Sequence, residues 1–179
     1  MLKFAVALAV AAPVMLVAPA YAADIATIGC VENTVDAATR AQLNKDLEKN
    51  LADAGGPQTY SQSTIEGMRK ASLACQAKHG WSDAATMGAL LYTVPKLGWP
   101  VADRMGRAAK IDPKKVEARF MALPQAVRAT AMDNPSTFEK IATDAINAGE
   151  INGDNATLAG GLLGLLAVRE KGLADFQAN

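Results

Sequence analysis

The chain has 179 residues, half of them hydrophobic and only 5% aromatic, and its 18 Lys and Arg are balanced by 18 Asp and Glu. That length suits one domain around a single core. The neutral charge speaks against a polyanionic partner such as nucleic acid, and the alanine that carries much of the apolar content favours helix.

Residues 1–22 read as a cleavable secretory leader. Lys3 supplies the positive start, Phe4 to Ala18 is an apolar run broken only by Pro13, and Ala20-Tyr21-Ala22 is a small-residue cleavage site. The run is shorter than the about 20 residues that span a bilayer. Cleavage leaves a chain with 17 basic and 18 acidic residues, because Lys3 is the leader's one charge. The expected location is the periplasm or the medium.

Cys30 and Cys75 are the two cysteines, and an even count in an exported chain favours a disulfide. Closing a separation of 45 residues would stabilise the fold by roughly 4 kcal/mol in the loop-entropy picture. It would strap an N-terminal tail, residues 23–34, onto a single helical domain, residues 35–179. Thr27-Ile28-Gly29-Cys30 only faintly resembles a lipid-attachment site, with a poor Thr27 and with Asp24 between it and the apolar run.

A first helix is expected from about Val35 to Asp53, with Leu43, Leu47 and Leu51 as its stripe and Gly55-Gly56-Pro57 as its stop. Ser63 and Glu66 form a capping-box pattern that opens a second helix ending at Gly80. Ile65, Met68, Ser72 and Cys75 share one side of it. Ser82 caps a third helix whose buried stripe is Met87, Leu90, Leu91 and Val94. Pro95, Gly98 and Pro100 end that helix and begin another, carrying Val101, Met105 and Ala108. Asp112-Pro113 opens the next, with Val116, Phe120 and Leu123 inward, and Leu123-Pro124 breaks it before a short helix to about Met132. Ser136 and Glu139 repeat the capping box, Phe138, Ile141, Ala142 and Ala145 form the stripe, and Gly149 closes it.

The last helix is expected from about Ala156 to Lys171, with Asn155 as its cap and Gly172 after it. Leu158 to Val168 is the most apolar stretch beyond the leader. Gly160 and Gly164 form a G-x-x-x-G pattern that lets another helix approach, so the segment reads as a buried central helix. One internal echo stands out. Residues 80–88 and 98–106 both read G-W-x-x-A-x-x-M-G, which suggests two helix starts with a tryptophan beside the first turn.

Chemistry-bearing patterns are sparse. Cys75 and His79 lie four apart on one helix, but zinc takes three or four ligands and a disulfide would consume Cys75. No G-x-S-x-G, phosphate loop or calcium loop is present. Glu66 is the least implausible acid for a hydrolase. The best surface clue is charge: residues 103–132 carry seven cations against three acids, including Arg104, Arg107, Lys110, Lys114, Lys115 and Arg119. Residues 133–157 carry five acids against Lys140. The basic stretch could face an anionic envelope component or an acidic protein partner, or pair with the acidic stretch.

The expected fold is all-α, a compact, non-parallel assembly of seven to eight short helices around a buried C-terminal helix. The expected role is non-enzymatic binding in the cell envelope, with no cofactor and no metal. An envelope-acting hydrolase, or a membrane-interacting protein working through its apolar C-terminal helix, are the alternatives.

Overall fold

The computed structural model describes residues 22–179. The expected secretory leader, apart from Ala22, lies outside the described residues. Among the described residues there are eight α-helices, two short 3-10 turns and no strand. A 3-10 turn at Ile25–Thr27 leads into α1 (Cys30–Thr34), followed by α2 (Ala37–Ala52), α3 (Gln62–His79) and α4 (Asp83–Ala108). Then come α5 (Pro113–Met121), α6 (Gln125–Ala129), a 3-10 turn at Ala131–Asp133, α7 (Pro135–Asn147) and α8 (Ala156–Ala178).

Side-chain caps open four of the eight α-helices. Asp36 accepts from the Thr39 amide at 2.7 Å, Ser82 from Ala85 at 3.0 Å, and Asp112 from Lys114 at 3.0 Å with Pro113 in the first turn. One expected cap moves by two residues and another is absent. Helix α3 is capped by Ser61 rather than Ser63, and Glu66 accepts from the Gln62 side chain at 2.8 Å instead of reaching back. Helix α7 begins at Pro135, with Asn134 before it making no side-chain cap, and not after a Ser136 cap, because proline's fixed φ suits the first helical position.

Asp46 explains the first shift. This buried carboxylate on α2 accepts from the Ser61 amide at 2.9 Å, the Ser61 hydroxyl at 2.8 Å, the Thr64 hydroxyl at 2.6 Å and Gln42 at 3.0 Å. Ser61 is thereby held at the α3 N-terminus, where an anion meets the positive end of the helix. Burial alone would raise the Asp46 carboxyl, but the hydrogen bonds from Thr64, Ser61 and Gln42 outweigh it and hold it below the ordinary range. A lowered folded-state value means that this stabilisation is complete above the unfolded value of about 3.9 and is lost as pH falls through the folded value. Asp46→Asn should therefore cost about 2 kcal/mol at pH 7, the worth of hydrogen bonds to a charged acceptor, and less at pH 2. Urea melts at the two pH values check this; an equal cost at both would contradict it.

Helices α4 and α8 run antiparallel through the centre. Gly88 near the start of α4 meets Gly172 and Phe176 of α8, and Gly106 near its end meets Leu162. The expected break at Pro95 to Pro100 does not occur: α4 is one helix of 26 residues with both prolines inside it. Interior proline costs about 3 kcal/mol, which the burial of Pro95, Gly98, Val101 and Ala102 offsets. Leu47 of α2 occupies the space that a side chain at Gly98 would need. The sequence echo has a different meaning from two helix starts. Its first copy leads into α4 and its second lies within the same helix. Eighteen residues are five turns, so Gly88 and Gly106 share the face turned to α8.

Helix α8 also runs further than expected, to Ala178, and Phe176 is fully buried. Gly172 is an interior residue and not a terminal cap. A Cβ there would collide with the Tyr92 amide and lie 2.7 Å from the Gly88 carbonyl oxygen. Conversely, Gly160 and Gly164, read as the close-approach pair, have open space where a Cβ would sit. Asn155 stands at the start of α8, but its side chain accepts from the Asn152 amide at 2.8 Å and donates to the Ala109 carbonyl at 3.1 Å. It ties the end of α4 to the turn instead of capping α8. Gly172→Ala should cost about 1–3 kcal/mol by forcing two backbones apart. Gly164→Ala should gain about 1 kcal/mol from helix propensity, reversing the overpacking that the G-x-x-x-G reading implies for Gly164. Denaturant midpoints of the two variants should move in opposite directions.

The N-terminal segment is folded. Cys30 and Cys75 are disulfide-bonded, with Cα atoms 5.9 Å apart. Ile28, Val31 and Val35 are buried, so the strapped segment contributes core as well as a covalent link. Trp81 joins the N-terminal segment of the described residues to the end of α8: its indole donates to Thr27 at 3.0 Å and its ring meets Phe176 edge-on at 5.1 Å. No helix among the described residues is long and apolar enough to cross a membrane.

Candidate functional site

The short turn Gly80-Trp81-Ser82 folds α4 back along α3. The start of α3 therefore lies opposite the middle of α4, with α8 behind. Between them the apolar side chains do not close on one another. Ile65 and Met68 of α3, Met87, Leu90, Leu91 and Val94 of α4, and Val168 of α8 line a groove of about 490 Å³. Ile65 is 49% exposed and Met87 56% exposed, large values for apolar side chains in a shared concavity. Both were expected on inward stripes. Met68, Ser72 and Cys75 do face the core, whereas Leu90, Leu91 and Val94 are only half-buried.

A second concavity of about 210 Å³ adjoins the first and shares Tyr60, Val94 and Val168 with it. Its α8 wall is Gly160, Gly161, Gly164 and Leu165, and Leu51, Ala54, Pro95, Met132 and the polar Gln58 complete its lining. The glycines read as a helix-packing motif thus provide a wall nearly free of side chains. Tyr60 stands where the two spaces meet. Its position is set by Asn50, which donates to the Thr59 carbonyl at 2.9 Å and accepts from the Thr59 amide at 3.0 Å. Burial, then the Asp46 charge, raise the Tyr60 phenol above its ordinary value, so it is neutral at pH 7. Arg69 is the one charged residue lining either space.

The cations singled out in the sequence lie along the end of α4, the following turn and α5. Arg104 pairs with Glu48 at 2.9 Å and Arg107 with Asp103 at 2.8 Å. Lys115 and Arg119 both reach Glu150, at 3.7 and 2.6 Å. The Arg119 guanidinium holds the Glu150 carboxyl below its usual range, against a smaller opposing effect of burial. Lys110 and Lys114 make no ion pair among the described residues. Lys110 ends α4 in a left-handed conformation with φ of 62°. The basic and acidic stretches thus meet at Glu150.

Glu66 is exposed and does not line the groove. The buried acids among the described residues, Asp46 and Glu170, are engaged by hydrogen bonds and ion pairs. His79 stacks on Trp81 at 5.4 Å, and Cys75 is held in the disulfide. No group of three or more His, Cys, Asp or Glu among the described residues is placed to hold a metal ion.

Sequence reading missed the groove. The signal was present as an unusually apolar α4 stripe beside an apolar α3 stripe, but a stripe facing a groove has the same periodicity as one facing a core. The chain matches no protein-family model, no curated protein and no solved structure.

Proposed function

We propose that this protein is a non-enzymatic binding protein of the cell envelope, and that the groove between α3, α4 and α8 takes up an apolar ligand. One observation carries the reading: an open concavity of about 490 Å³ with Ile65 and Met87 half exposed inside it. Ligand sites commonly occupy roughly 300–1,000 Å³, lie between helices and are mostly apolar with few polar groups. Flexible methionines such as Met68 and Met87 adapt to varied apolar shapes. The leader read over residues 1–22 and the Cys30–Cys75 disulfide support a periplasmic or secreted location. The basic stretch contributes less, because Arg104, Arg107, Lys115 and Arg119 are already paired.

A neutral apolar dye, N-phenyl-1-naphthylamine, should bind the protein saturably at one site with enhanced fluorescence. Met87→Lys should weaken that binding at least tenfold, about 1.4 kcal/mol, without lowering Tm, since Met87 is not a core residue. Absence of saturable binding, or an unchanged affinity in Met87→Lys, would overturn the proposal.

A further inference from the structure

We infer that the ligand of the groove is a single-chain fatty acid, with its carboxylate at Arg69 and its tail running past Tyr60 into the glycine-walled concavity. This rests on the reading that the groove binds an apolar ligand. Three observations identify the occupant.

The first is charge. Arg69 is the one charged residue among those lining either space, and its guanidinium makes no ion pair or hydrogen bond among the described residues. A lone unpaired guanidinium beside an otherwise apolar wall matches an amphiphile with one anionic head. Its planar fork accepts a carboxylate through two parallel hydrogen bonds.

The second is placement. Arg69 lies a full helical turn and more beyond Thr64 on α3, toward the Met87 end of the groove, whereas Tyr60, Val94 and Val168 stand at the junction with the second space. The head site and the tail exit are therefore at opposite ends. Seven residues from Met87 to Val94 span about 10 Å of helix, and Gly161 to Val168 span about as much again. That reach suits an extended chain of more than ten carbons.

The third is width. The second space holds about 210 Å³ and is walled by Gly160, Gly161 and Gly164, with open room at the Cβ positions of Gly160 and Gly164. It can receive one alkyl chain. A helix of a partner protein, about 10 Å across, is too wide for it, and a two-chain lipid would need a second path.

The test is displacement of N-phenyl-1-naphthylamine from the intact protein by saturated fatty acids below their micelle concentrations. Dodecanoate should displace the dye at least tenfold more strongly than dodecanol, which has the same chain and a neutral head. Arg69→Gln should abolish that difference while leaving Tm unchanged. Affinity should rise about fourfold per added methylene from octanoate upward and then level off. Gly164→Leu should bring the levelling to a shorter chain. If the dye binds but dodecanol equals dodecanoate, or Arg69→Gln changes nothing, the head assignment is wrong and the groove reading survives. An unmoved plateau in Gly164→Leu overturns the tail path. Displacement by an amphipathic helical peptide and not by dodecanoate would give the groove to a protein helix, and dimerisation that excludes the dye would give it to a second copy; either overturns the inference. Failure of the dye itself to bind overturns the groove reading.

Discussion

Replacing Cys30 and Cys75 together by serine should cost about 4 kcal/mol, a large share of the about 5–15 kcal/mol that holds a domain of this size folded. The bond closes a separation of 45 residues, so its loss releases a long loop in the unfolded chain. It also removes the covalent hold on α1. What remains there is the burial of Ile28, Val31 and Val35, the Lys96–Glu32 pair at 2.6 Å, and Arg40 donating to the Glu32 and Val35 carbonyls. The Lys96–Glu32 pair is partly exposed and contributes little. Urea denaturation of the double serine variant should therefore show a much lower midpoint, and wild type kept reduced should behave the same way. A loss below about 1 kcal/mol would mean that packing alone secures α1. Non-reducing mass spectrometry of the wild type should give the linked Cys30–Cys75 peptide.

Arg128→Ala should cost about 3–5 kcal/mol, for a different reason. Glu170 lies in the middle of α8 with its side chain only 6% exposed, and Arg128 meets it at 2.9 Å while itself 15% exposed. Arg128 also donates to the carbonyls of Leu123 at 2.6 Å and Met121 at 3.2 Å, groups that the end of α5 leaves without helical partners. Alanine would leave a buried carboxylate with only Arg169, at 3.5 Å, and would orphan those carbonyls. If the unpaired charge dominates, Arg128→Met combined with Glu170→Leu should recover most of the loss. Denaturation of the single and double variants decides it: a double variant as unstable as Arg128→Ala would place the cost in the carbonyl contacts.

Much of this protein is decided locally. Ser82, Asp36 and Asp112 cap helices because their side chains reach amides two or three residues away, and that reach needs no tertiary contact. Pro113, Gly80 and Gly149 mark starts and stops through their own backbone preferences, the two glycines with φ of 67° and 68°. The all-α class, the cysteine pairing and the burial of Leu162, Leu163 and Leu166 in the C-terminal helix all follow from composition, parity and apolar density.

Other features belong to the tertiary structure alone. Pro95 and Pro100 read as breaks, yet α4 continues because its packing against α8 and Leu47 outweighs their local cost. Gly172 reads as a stop, yet it lies where two backbones touch, and Gly164 reads as a contact, yet it faces open space. A glycine's sequence context does not say which neighbour needs the room. The same limit hid the groove. Met87, Leu90, Leu91 and Val94 follow helical periodicity whether another helix covers them or a gap does, and only the position of α3 and α8 decides that they line a concavity.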